Sequence, residues 1–370
     1  MSSLENILDD LTVEGHLYEP LPDESVRCFA CGHRCLIREG RRGICMVRFN
    51  RSGKLYIPWG YVSSLQTDPI EKKPFFHILP GTDALTFGML GCDFHCGYCQ
   101  NWITSQALRD PASDGSVSYL QRVTADQLIE IAQNSGAKII ASSYNEPLIT
   151  SEWAVEIFKR AKEENFLCVY ISNGNGTPEV LRYLKPYLDG YKIDLKTMQD
   201  KHYRELGGVL NNVLDSIKLA FELGFWVEVV TLIVPGFNDS SDELMDAALF
   251  IATISPDIPW HVTAFHPDYQ MTDPPQTSIE TLIRATEIGQ EAGLRYVYAG
   301  NLPGKVHPYE NTICPNCQTQ LIERYGYIII KYRITAEKTC QNCGGHIPGI
   351  WSEHPKSVHI HGSGIPQPFV

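Results

Sequence analysis

Cys92, Cys96 and Cys99 stand at positions i, i+4 and i+7 of the stretch Gly91-Cys92-Asp93-Phe94-His95-Cys96-Gly97-Tyr98-Cys99-Gln100-Asn101, directly after the apolar run Ala84-Leu85-Thr86-Phe87-Gly88-Met89-Leu90. A cubane iron–sulfur cluster takes one soft thiolate per iron, and clusters that only carry electrons are usually closed by four cysteines. Three thiolates leave one iron with a free coordination position. A small molecule can then bind the metal directly, by the same logic that separates catalytic from structural zinc. The rival reading of these residues is a cluster-bearing electron carrier or redox sensor.

Two further cysteine groups flank this loop. Cys28-x-x-Cys31-x-x-x-Cys35 followed by Cys45 lies in a short, turn-rich region that could close a tetrahedral zinc site or hold a second cluster. Cys314-Pro315-Asn316-Cys317 is answered by Cys340-Gln341-Asn342-Cys343, and paired CxxC knuckles around a strand-rich spacer read as a zinc ribbon. Of the twelve cysteines only Cys168 falls outside the three groups, within Phe166-Leu167-Cys168-Val169-Tyr170, where an inert core thiol is expected. Met1 to Pro20 is acidic and has no continuous apolar run, so a cytoplasmic location and metal-bound thiols are expected in place of disulfides. No stretch is long and apolar enough to predict a membrane span.

The elements that must position these residues follow from periodicity. Apolar, β-branched runs occur at Ala84–Gly88, Lys138–Ser142, Leu167–Ser172, Tyr191–Leu195, Trp226–Val234, His261–Phe265 and Arg295–Tyr298. Amphipathic stretches alternate with them at Thr124–Asn134, Ser151–Glu164, Asn212–Leu223, Ser241–Thr253 and Ile279–Glu291. In the first of these, Thr124 and Gln127 form a predicted capping box and Gly136 a stop signal. Such alternation predicts an α/β fold with a parallel sheet, arranged as a partial (β/α) barrel. Each polar motif follows a predicted strand: the cysteine loop, Ser143-Tyr144-Asn145-Glu146-Pro147, Ser172-Asn173-Gly174-Asn175, Asp194-Leu195-Lys196, Pro235-Gly236-Phe237-Asn238-Asp239, Phe265-His266 and Gly300-Asn301. In a parallel barrel all those ends open on one face, where active sites are built.

Composition and charge bound the rest. The 370 residues divide into an amino-terminal four-cysteine module (1–80), the barrel (81–305), and the ribbon with a His-, Pro- and Gly-rich tail (306–370). A formal net charge of -12 argues against a general nucleic-acid surface, since phosphate neutralisation needs clustered Lys and Arg. The outer cysteine groups keep open a second rival, a zinc-dependent module that binds RNA or protein.

Taken together, these motifs resemble the radical S-adenosylmethionine superfamily, whose CxxxCxxC signature matches Cys92, Cys96 and Cys99, with Tyr98 as the aromatic residue before the last cysteine. The chain is similar to the pyruvate formate-lyase activating enzymes and, over nearly its whole length, to the radical enzyme of the AmmeMemoRadiSam group. The resemblance implies a [4Fe-4S] cluster whose free iron chelates S-adenosylmethionine, and a 5'-deoxyadenosyl radical that takes hydrogen from a substrate, a protein among the candidates. It places Asn145 and Glu146 in the motif facing the cofactor's amino group, although the family's two glycines are Tyr144 and Asn145 here. Ser172, Asn173, Asp194, Lys196, His266 and Asn301 become further cofactor contacts, with Phe94 and Tyr98 as adenine walls. It also implies a reductant such as flavodoxin or ferredoxin, and Memo-like and AMMECR1-like proteins as candidate partners.

Overall fold

The computed structural model describes residues 4–369. Its centre is a nine-stranded sheet of β1 (Ser64–Pro69), β2 (Asp83–Gly88), β3 (Ile139–Ser142), β4 (Leu167–Ser172), β5 (Gly190–Asp194), β6 (Trp226–Ile233), β7 (Trp260–Ala264), β8 (Val297–Gly300) and β9 (Gln367–Pro368). From β2 to β8 every neighbouring pair is parallel and the strands lie in chain order. Parallel strands covered on both faces need near-continuous apolar runs, and all four residues of β3 are buried accordingly.

The crossover helices are α1 (Ala125–Ser135), α2 (Ser151–Glu163), α3 (Pro178–Leu184), α4 (Leu210–Glu222), α5 (Ser241–Ile254) and α6 (Ile279–Glu291). Helix α1 starts with the predicted capping box of Thr124 and Gln127 and stops at Gly136, whose φ of 74° any other residue would adopt at a cost. The apolar faces of these helices, such as Leu128, Ile129 and Ala132 of α1, join the sheet in one core. No helix among the described residues is long and apolar enough to cross a membrane.

Two differences from the sequence reading concern the edges. Ser64–Pro69, expected within the amino-terminal module, is an antiparallel strand of the main sheet, paired along its whole length with β2. The His-, Pro- and Gly-rich tail, whose sequence has no periodicity and suits a docked arm or a disordered end, returns at Gln367–Pro368 to pair with β1.

The outer lobes dock on opposite parts of this frame. The amino-terminal lobe is gripped by α2, where Arg48 and Glu152 form a pair with both side chains 1% exposed, at 2.7 and 2.8 Å, and Glu152 also accepts from the Leu17 amide. It further bonds the loop after β4, through Gly32 N–H to the Asn175 carbonyl (2.7 Å), and the first turn of α3, through Arg34 to Glu179 (2.6 and 2.9 Å). The carboxyl-terminal lobe, strands Thr312–Ile313, Gln320–Tyr325 and Ile328–Tyr332, packs against the segment between β1 and β2. There the buried Arg324 lies 4.2 Å over the Phe76 ring and donates to its carbonyl. Buried His77 meets the Pro348 carbonyl and the Tyr298 hydroxyl, both at 2.7 Å.

Candidate active site at the carboxyl ends of the strands

Where β2 ends, the backbone must turn sharply against the amino-terminal lobe. Gly91 does so with φ 94°, and a Cβ there would lie 2.8 Å from Val47 and 3.0 Å from the Cys45 carbonyl. The loop that follows is pinned by Arg109, which donates to the carbonyls of Cys92 (3.0 Å), Phe94 (2.7 Å) and, across the lobe boundary, Ile44 (2.7 Å). Cys96 is buried, while Cys92 and Cys99 are partly exposed. The Phe94 amide donates to Cys92 Sγ at 3.4 Å, and Ser105 Oγ lies 3.2 Å from Cys99 Sγ. Burial raises all three thiol pKa values, that of Cys96 to about 12, so metal binding must displace their protons.

The motif after β3 keeps its backbone shape without glycine. Tyr144 adopts φ 70°, the left-handed region, at the position where the resemblance expects a glycine. Its hydroxyl donates to Asp68 (2.6 Å) and accepts from Lys73 (3.0 Å), bonds that hold the residue in a conformation a tyrosine would otherwise avoid. Asn145 Oδ1 accepts from the Met89 amide. Glu146 is buried, and its carboxylate accepts from Ser172 Oγ (2.7 Å), the Asn173 amide (2.7 Å) and the Leu148 amide (3.0 Å). A carboxylate offers about four acceptor directions, so one remains for a further donor. Burial, then the charge of Asp93, pushes the Glu146 pKa up to about 8, so an arriving cation would favour its ionised form.

At the end of β5, Asp194 lies between two ammonium groups. Lys196 is 3.2 Å from its Oδ2, and Lys192 is bonded to its Oδ1. Burial alone would raise the carboxyl pKa, but the two lysines prevail and hold it near 2. Lys196 stands 5.9 Å over the Tyr98 ring and within electrostatic reach of Cys96. Its backbone is fixed by Tyr203 and by Asn238, which accept and donate hydrogen bonds at 3.0 and 2.7 Å.

The structure therefore gathers Cys92, Cys96, Cys99, Tyr98, Asn145, Glu146, Ser172, Asn173, Asp194 and Lys196 at one end of the parallel strands. Two further predicted contacts lie at the same end of the strands but on its exposed rim. His266 is exposed on the rim, paired with Gln100 Nε2 at 2.8 Å, and Asn301 is exposed with its amide donating to the Ala264 carbonyl. Phe94, expected as an adenine wall, is buried against Tyr203 and His33 instead.

Three residues escaped the sequence reading. Asp93 is fully buried and accepts from Asn173 Nδ2 (2.7 Å) and Asn175 Nδ2 (2.8 Å), tying the cysteine loop to the loop after β4. Lys192 was legible, because a period of two puts residues 192, 194 and 196 on one face of a strand. Asn175 carried no signal apart from loop polarity. A cavity of about 450 Å³ lined by Tyr296, Tyr298, Tyr309 and Cys314 belongs to the carboxyl-terminal lobe junction and contains none of the site residues above.

The three thiols fit an open cluster site. Among the described residues, the one group of three or more ligand atoms all within 4.8 Å of each other is Cys314, Cys317, Cys340 and Cys343. Cys92, Cys96 and Cys99 do not form so tight a group, and thiolates that each take a different iron of a cubane need not.

A mostly parallel α/β sheet carrying an open three-cysteine loop at its carboxyl end defines a radical S-adenosylmethionine fold. The radical SAM superfamily profile matches residues 87–250, so this part of the chain is a radical SAM domain. It is 40% identical over 337 residues to an uncharacterized protein of Methanocaldococcus jannaschii, MJ0808, covering 90% of this chain and 98% of that one. It is 26% identical over 197 residues to a pyruvate formate-lyase-activating enzyme of Staphylococcus aureus, covering 50% of this chain and 76% of the relative. Among solved structures, a domain of a pyruvate-formate lyase-activating enzyme from Bacteroides vulgatus aligns with TM-score 0.39 and 19% identity over 44% of this chain and 98% of that one.

Proposed function

We propose that the protein is a radical S-adenosylmethionine enzyme of the AmmeMemoRadiSam kind, built on a partial barrel, and that its substrate is a polypeptide. The observation that carries the catalytic part is the convergence of three widely spaced thiols with Glu146 and the Asp194–Lys196 pair at one end of the parallel strands. When bound, the cluster and S-adenosylmethionine supply a 5'-deoxyadenosyl radical that abstracts hydrogen. Cys92, Cys96 and Cys99 hold the cluster and leave one iron open. Glu146 offers its remaining acceptor direction to the cofactor's ammonium, a charge-assisted bond in a buried setting. Lys196, already charged by its partner Asp194, is placed for the cofactor's carboxylate, and Tyr98 lies beneath it as an apolar wall.

The polypeptide substrate is supported by the activating-enzyme relative, together with an external one-electron reductant such as flavodoxin or ferredoxin. Memo-like and AMMECR1-like proteins are the partners to try first. The carboxyl-terminal thiols are assigned to structural zinc. Cys314–Cys343 and Cys317–Cys340 Sγ atoms are each 3.7 Å apart, against about 3.8 Å expected between thiolates on one tetrahedral zinc.

Anaerobic reconstitution, dithionite reduction and addition of S-adenosylmethionine test the chemistry. Formation of 5'-deoxyadenosine by the parent and none by Cys96→Ala is expected, and equal rates would overturn the assignment. With deuterated candidates, deuterium entering 5'-deoxyadenosine from small metabolites alone would reject a polypeptide substrate.

A further inference from the structure

The four amino-terminal cysteines are free thiols that take no part in the site above. Cys28, Cys31 and Cys45 are each 5% exposed and Cys35 is partly exposed. They come from consecutive tight turns. The Cys28 amide bonds the Cys35 carbonyl at 3.0 Å, Arg34 turns the chain with φ 45°, and Met46 does so again with φ 66° beside Cys45. The Ile44 amide donates to Cys35 Sγ at 3.5 Å. Cys31 lies within electrostatic reach of Cys28, Cys35 and Cys45.

Ligand spacing separates the two groups that four thiolates could hold. A tetrahedral zinc draws its sulfurs to about 3.8 Å from each other, and each iron of a cubane takes its own sulfur, leaving them about 6 Å apart. The carboxyl-terminal lobe shows the first spacing, with all four sulfurs within 4.8 Å of one another. No three of Cys28, Cys31, Cys35 and Cys45 meet that limit, and in this they share the wider spacing of Cys92, Cys96 and Cys99.

We propose that Cys28, Cys31, Cys35 and Cys45 bind a second [4Fe–4S] cluster, fully ligated by protein, and do not bind zinc. The site adjoins the first. Asp93, next to Cys92, lies within electrostatic reach of both Cys31 and Cys92, and Arg109 bridges the carbonyls of Ile44 and Cys92. With four cysteines on four irons, the second cluster has no open position for a small molecule, so only the cluster on Cys92, Cys96 and Cys99 responds to S-adenosylmethionine.

The inference does not depend on the chemistry of the first cluster, and its test separates the two. The full chain with Cys92, Cys96 and Cys99 all changed to Ala is reconstituted anaerobically with iron and sulfide. Metal content is measured, and the dithionite-reduced protein is examined by electron paramagnetic resonance with and without S-adenosylmethionine. The expected result is about four iron atoms per chain, about one zinc, and a reduced-cluster spectrum that S-adenosylmethionine leaves unchanged. Changing Cys28 and Cys31 to Ser in addition removes that iron and that spectrum. The unsubstituted chain supplies an independent reading, with about eight iron atoms and one zinc expected. About two zinc atoms and no more than four iron atoms in the unsubstituted chain, or no iron in the folded triple variant, overturns the proposal.

Discussion

Removing either member of the Arg48–Glu152 pair should unfold the amino-terminal lobe from the sheet. Both side chains are 1% exposed and bonded through two nitrogens and two oxygens, and Arg48 also donates to the Ile149 carbonyl at 3.0 Å. Burial opposes the charge on each, yet the partner prevails, so the Glu152 pKa is lowered and that of Arg48 raised. In Glu152→Ala the guanidinium stays inside without a counter-charge, and the Leu17 amide loses its acceptor. A stranded buried charge of this kind costs about 3–5 kcal/mol, whereas exchanging both partners for apolar residues is often close to neutral. Arg48→Met should therefore cost several kcal/mol alone, and Arg48→Met with Glu152→Leu should cost several kcal/mol less than the two single changes added together. Urea unfolding followed by tryptophan fluorescence suits the measurement, because Trp59 and Trp153 are in contact at this boundary, with ring centroids 4.9 Å apart. Additive losses, or a Glu152→Ala loss below about 1 kcal/mol, would refute the reasoning.

Three other outcomes are expected. His77 is fully buried, and burial lowers its pKa from 6.5 to about 4. The unfolded chain thus binds the extra proton first, and His77 should lower stability by up to about 3 kcal/mol as pH drops from 6.5 toward 4, so His77→Gln should flatten the slope by that amount and leave the part due to buried His261. Gly174→Ala would place a Cβ 2.4 Å from Ile193 at φ 77°, and should destabilise by about 1–3 kcal/mol more than Gly136→Ala, where φ is 74° and no atom lies within 4 Å; equal losses in thermal unfolding would deny the steric part. Asp194→Asn leaves Lys192 and Lys196 facing each other without a carboxylate, so calorimetry should show a loss of about 1–3 kcal/mol in stability and weakened S-adenosylmethionine binding, and unchanged binding would remove this pair from the site.

How much was legible depended on the range of the interaction that fixes each feature. Strands β2 to β8 and five of their helices are local patterns, and chain-order winding follows from short right-handed crossovers. Helix α3 went unread because its Pro178 start and seven residues are too short for a periodic signal. Strand β1 has Leu65 as its single apolar residue before Pro69, with Gln66, Thr67 and Asp68 in a row, so only its partner β2 identifies it. Tyr144 could not be read as left-handed, since the Asp68 and Lys73 that hold it are more than seventy residues away. The spacing of the amino-terminal sulfurs is likewise a property of the folded turns and not of the cysteine pattern, which favours zinc in so small a module and leaves a cubane open.

The contacts that cover the amino-terminal cysteines also set an order in time. Arg34 meets Glu179 of α3 across 145 residues of sequence, and Gly32 meets Asn175 in the loop just before that helix. At a synthesis rate of about 5–20 residues per second, that cover arrives roughly 7–30 s after the cysteines themselves. For this interval the turns carrying Cys28, Cys31, Cys35 and Cys45 stand open to any carrier that delivers metal, and afterwards the loop beyond β4 lies over them. Loading during synthesis and loading of the finished chain thus meet the cysteines in different surroundings, the second with the Gly32–Asn175 and Arg34–Glu179 bonds already made.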